Sequence, residues 1–134
     1  MISNPKFGWC NFNIDNFSGH PSYLTDVPVD LINFFLKAKK EKSKCFFDEE
    51  GTEFTLVYNK EKIYIIASRE RGKERYNFPK QNLNNLAKEL YEDITNNLEE
   101  WASNFVITDE KEEIEQHKKE IKELLEKLKE EYNL

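Results

Sequence analysis

The sequence predicts a single α+β domain. It would comprise an antiparallel sheet of three to four strands packed by two helices, with a charged amphipathic helix at the C-terminal end. Three observations carry this. Residues 44–68 alternate apolar and polar side chains in short runs around the polar turn Asn59-Lys60-Glu61-Lys62, as paired half-buried strands do. Between residues 82 and 105, Leu83, Leu86, Ala87, Leu90, Ile94, Leu98, Trp101 and Phe105 recur at three- and four-residue steps. No Gly or Pro interrupts them, which predicts one helix of about six turns. Residues 109–132 are nearly all Glu and Lys around Ile114, Ile121 and Leu128, spaced seven apart.

Taken in order, residues 7–14 read as a first strand, with Phe7 and Trp9 on one side and Cys10, Phe12 and Ile14 on the other. Residues 16–22 carry Gly19 and Pro21 and read as a loop. Asp26 is placed to cap a helix over 27–41, with Pro28 in the first turn, where its missing N–H is harmless. Leu31, Ile32, Phe35 and Leu36 follow at helical spacing, and Lys37, Lys39, Lys40 and Lys42 oppose the negative pole. A strand starts at Cys45-Phe46-Phe47 and breaks near Glu50-Gly51. In the next, Phe54, Leu56 and Tyr58 share a face opposite Thr55 and Val57, and Ile63-Tyr64-Ile65-Ile66 supplies its partner. Residues 69–75 read as an exposed charged loop that Tyr76 and Phe78 close before Pro79. Asp109 is expected to cap the last helix, with Glu112 completing a capping box. That helix has a narrow apolar seam interrupted by His117; it should pack on the domain formed by 1–108 or contact a second copy. The expected core is Trp9, Phe12, Leu31, Phe35, Phe54, Leu56, Ile63, Ile65, Leu86, Leu90, Ile94, Leu98 and Trp101.

Composition excludes several classes. With 134 residues, four Gly, four Pro and 13% aromatics, the chain is neither collagen-like, nor low-complexity, nor unable to form a core. Its net charge of −6 is unevenly placed: +1 over residues 1–79, −3 over 80–108 and −4 over 109–134. An acidic surface repels phosphate backbones, so nucleic acid is not an expected partner, even though residues 69–80 mix cations with Tyr76 and Phe78. The N-terminal residues show no secretory pattern, and no apolar run approaches the roughly 20 residues of a membrane span. A cytoplasmic, non-membrane protein is the expectation.

Groups able to make or break bonds are few. Cys10 and Cys45 lie among aromatics, without disulfide or metal-ligand spacing, and are expected to be buried thiols. A hydrolase would have to draw on Cys10, with His20 as its base, or on the acids Asp48, Glu49, Glu50 and Glu53. Those acids resemble a calcium loop only until the register is checked: Gly51 is fourth rather than sixth, and Asn59 stands where the twelfth ligand should be. No catalytic residue, metal or cofactor is therefore expected. Glu92, Asp93, Glu99, Glu100 and Trp101 combine acids with an aromatic and are the expected partner-binding set.

Gly8-Trp9, the segment Tyr23-Leu24-Thr25-Asp26-Val27-Pro28-Val29-Asp30-Leu31, and Phe47-Asp48 with Glu50-Gly51 and Phe54 together resemble small bacterial proteins of the immunity kind. The resemblance spans much of residues 8–105. It implies a cytoplasmic, non-enzymatic inhibitor that neutralises a cognate toxin, and the acidic helices add that the toxin domain should be basic. The alternatives are a phage or mobile-element assembly module that pairs through the last helix, and the small hydrolase.

Overall fold

A computed structural model describes residues 1–134 and shows an α+β fold with two antiparallel sheets and four helices. Strands β1 (Ile2–Lys6), β2 (Trp9–Ile14) and β3 (Phe17–Gly19) form the first sheet, in that order. Strands β4 (Ser43–Asp48), β5 (Glu53–Asn59), β6 (Lys62–Arg69) and β7 (Gly72–Asn77) form the second as a continuous meander. Between them runs helix α1 (Val27–Ala38); α2 (Leu83–Thr95), α3 (Leu98–Asn104) and α4 (Lys111–Tyr132) follow.

The strands thus number seven in two sheets, where sequence analysis expects one sheet of three or four. The additional strands are those with little apolar alternation. Only Ile2 and Pro5 of β1 are buried, β3 has three residues, and β7, within the expected charged loop, exposes nearly every side chain as an edge strand. The central strands follow the pattern closely. In β6, Ile63, Ile65 and Ala67 point inward between more exposed neighbours, paired with Tyr58, Leu56 and Phe54 of β5.

Aromatic rings stitch the sheets together. Phe12 and Phe17 of the first sheet sit 5.0 and 4.9 Å from Phe54 of the second, and Phe47 lies 5.4 Å from Phe12. Gly19 makes this approach feasible: a Cβ there would fall 2.5 Å from the Phe54 ring, so the backbone can lie against it only without one.

Helix α1 begins where expected, with Asp26 accepting the Val29 N–H. It ends at Ala38, three residues short of the expected 41. It buries Leu31, Ile32, Phe34 and Phe35, because β4 and α4 both pack against it. Trp9 and Leu98, both expected in the core, are only half-buried; the other predicted core residues are buried.

The single helix expected over 82–105 is two. Asn96 caps α2 and Asn97, with φ −145°, opens α3. In a continuous helix the Asn97 N–H would bond the Asp93 carbonyl; here it bonds the Ile94 carbonyl at 3.2 Å. The Asp93 carbonyl set free is satisfied by the Trp101 indole N–H at 3.1 Å. Two consecutive Asn residues, which favour caps over helix interiors, permit the break, and the indole fills the vacant position.

Helix α4 starts at Lys111, so Asp109 lies outside its first turn and the expected capping box does not form. Instead Thr108 Oγ1 accepts the Glu110 N–H at 3.1 Å. The seam of α4 is His117, Ile121, Leu125, Leu128 and Tyr132, all buried against α1, α2 and α3. Tyr132 donates its hydroxyl to the Phe35 carbonyl at 2.5 Å. The stripe that sequence analysis offers to a second copy is therefore filled by the chain itself, and α4 shares one continuous core with both sheets.

Candidate functional site

The reactive groups named from the sequence do not converge. Cys10 is fully buried on β2, and burial pushes its thiol up to about 12; Cys45 on β4 is likewise raised well above its ordinary value by burial and then by the negative Asp30. His20 stacks on the Trp9 ring at 5.0 Å, and its Nδ1 meets Asn11 Oδ1 at 3.1 Å rather than the Cys10 thiol. Of the acids at and after the end of β4, Asp48 and Glu49 are held by hydrogen bonds or an ion pair. Asp48 accepts the Glu50 N–H, while Glu49 accepts from the His20 N–H and the Thr52 hydroxyl and pairs with Arg69 at 3.3 Å. No three His, Cys, Asp or Glu side chains gather in a way that could hold a metal ion. Around His20, an open cleft of about 350 Å³ is lined only by polar residues and Gly19, and much of its hydrogen-bonding capacity is spent internally.

The expected partner-binding set is divided by the fold. Trp101 is 1% exposed and stacks on Phe105 in the core, so it cannot serve as a surface anchor. Asp93, half-buried, is engaged by the N-terminal strand: its carboxylate accepts from the Met1 ammonium at 3.0 Å and the Ile2 N–H at 3.1 Å. Glu99 pairs with Lys118 of α4. Glu92 and Glu100 remain exposed. Along α4 the exposed Glu112, Glu113, Glu115, Glu120, Glu123 and Glu126 are interleaved with exposed Lys111, Lys119, Lys122, Lys127 and Lys129, which leaves the helix with a small acidic excess.

His117, which sequence analysis sees only as an interruption of a seam, is held through both ring nitrogens. Its Nδ1 lies 2.7 Å from the Ala102 carbonyl and its Nε2 lies 2.7 Å from Asp26 Oδ2. A neutral imidazole donates through one nitrogen only, whereas the imidazolium satisfies both acceptors. Burial alone favours the neutral ring, but the bonds to Asp26 and Ala102 and the charges of Asp26 and Glu120 outweigh it and raise the pKa. The folded state therefore keeps this proton to higher pH than the unfolded chain does. The associated stability is complete below about pH 6.5 and is lost as pH rises through the raised value. Urea midpoints compared at pH 6 and pH 8.5 should show this loss, and His117→Gln should flatten it; equal pH dependence in both proteins would refute the assignment.

One end of the molecule has a different character. The turn between β1 and β2 is Phe7-Gly8, and its Gly8 carbonyl accepts the Tyr23 N–H at 2.6 Å. Asn104, closing α3, accepts the Gly8 N–H at 3.4 Å and donates to the Pro5 carbonyl at 3.2 Å. These bonds bring together the hairpin turn, the segment before α1 and the connection leading through Ile107 to α4. There Phe7 is 84% exposed and Ile107 85%, with Leu24 and Tyr23 also exposed. The sequence signal for this feature is Gly8 alone, which sequence analysis places within a strand and not in a turn.

Compared with known proteins, the chain matches no family model, no curated protein and no solved structure. No helix is long and apolar enough to cross a membrane.

Proposed function

We propose that this protein is a non-enzymatic, cytoplasmic binder of the immunity or antitoxin type, which neutralises a cognate basic toxin domain. The observation that carries the reading is the outward acidic surface of the C-terminal half. Residues 80–134 hold 15 acidic side chains against 8 basic ones, an excess of seven, and the α4 acids point away from the core interleaved with its lysines. A field of one sign accelerates encounter with an oppositely charged partner and selects against like-charged ones. Because α4 is fixed along its length by its buried seam, these carboxylates are held in a defined array rather than on a mobile tail.

Co-expression with the product of the neighbouring reading frame tests the proposal. The neighbour should be toxic alone, tolerated together with this chain, and retained by it with an affinity that falls as salt screens the charges. If no neighbour is toxic and none is retained at moderate salt, the proposal fails.

A further inference from the structure

We infer that the end formed by Phe7, Tyr23, Leu24 and Ile107 is the anchor site of this protein, and that its occupant is a cationic protein domain offering an apolar pocket bordered by Lys or Arg. The inference rests on the protein-capture reading above and specifies its contact point.

The backbone supplies the first argument. Phe7 has φ +54° and Gly8 φ +78°, positive at both central residues of a two-residue hairpin turn. That turn favours Asn or Asp followed by Gly; a bulky side chain at positive φ is strained. The matching β5–β6 turn also has positive φ at Lys60 and Glu61, but those side chains are charged and exposed to water. Phe7 combines backbone strain with an exposed ring, over which only the Lys6 ammonium lies, at 5.3 Å from the centroid. Stability alone would favour Asn here on both counts. Strained conformations persist where function uses them, and a rigidly presented aromatic is what an interface anchor needs.

Clustering and charge supply the second. Four of the five large apolar side chains that the protein exposes lie on or just beyond the segments joined by the Gly8–Tyr23 and Asn104 hydrogen bonds; Phe46 on β4 is the fifth. Immediately beyond Ile107 come Asp109, Glu110, Glu112 and Glu113, all exposed, against which Lys6 and Lys111 are the nearby cations. An apolar centre with an acidic border complements an apolar pocket with a basic border. A second copy of this chain would set acid against acid, and an anionic bilayer would be repelled.

The test uses the neighbour-encoded partner of the co-expression experiment as probe. Phe7→Asn should raise the melting temperature of the free protein, while weakening the complex about 30-fold, the loss typical of a central anchor. Ile107→Asn should weaken binding while leaving the fold intact, and Phe46→Asn should leave affinity unchanged. Wild-type affinity in Phe7→Asn would overturn the inference and leave the capture reading standing, whereas absence of any captured partner by the wild-type chain overturns both. A fall in melting temperature alongside lost affinity overturns it too, since Phe7 would then serve the fold. So does a concentration-dependent dimer of the wild-type chain that disappears in Phe7→Asn, which would give this end to a second copy.

Discussion

Ile121→Glu is expected to unfold the protein. Ile121 lies at the centre of the α4 seam with no exposed surface, and its neighbours along the stripe, His117 and Leu125, are buried with it. A carboxylate there would lose an apolar contact and leave a charge without a partner. Such changes fall at the severe end of single substitutions, on the order of 4–5 kcal/mol. That is comparable to the whole stability of a small domain, roughly 5–15 kcal/mol. Far-UV circular dichroism and urea titration should show a largely unfolded chain, while Lys122→Glu, one residue along on the exposed face, should behave as wild type. If α4 were a free pairing helix, Ile121→Glu would change only the mass in sedimentation; that result would place α4 off the core.

Trp101→Ala should cost about 3–5 kcal/mol, the range for removing a fully buried large aromatic. Two separable losses contribute. The cavity would open between Phe105 and the first sheet, and the Asp93 carbonyl, already deprived of its helical donor, would lose the indole N–H. Trp101→Phe separates them by restoring most of the volume but not the donor, and should cost about 1–3 kcal/mol. Urea midpoints should therefore fall in the order wild type, Phe, Ala. A neutral Trp101→Phe would show that the carbonyl finds another donor and that the indole does not hold the α2–α3 corner.

The elements read most reliably from the sequence are those in which one face meets the core at a regular period: α1, β5, β6 and the apolar stripes of α2 and α4. What escaped was encoded in single residues rather than in periods. The break at Asn96-Asn97 leaves the three- and four-residue spacing of Leu90, Ile94, Leu98 and Trp101 unbroken, so periodicity is blind to it, and only the capping preference of Asn marks the corner. Strand β7 carries Lys73, Glu74 and Arg75 and resembles a loop because its partner on one side is solvent. The His117 linkage depends on Asp26 and Ala102, 91 and 15 residues away, and no local pattern can announce such a meeting. The same holds for the candidate interface. The acids were visible individually, but Trp101 fills the core place its spacing predicts and not the partner-binding one, and nothing in the pattern marks Phe7 as the exposed ring.

The charge density of β7 has a bearing on how the protein behaves when concentrated. Its outer edge presents unpaired peptide groups, the template on which sheets of separate molecules zip into fibrils. Along that edge Arg75 lies over the Tyr64 ring and Glu74 accepts from the Tyr76 hydroxyl, so ionic groups are pinned beside the open hydrogen-bonding row. Any incoming strand would have to strip water from both signs of charge at once, which guards this edge against strand addition.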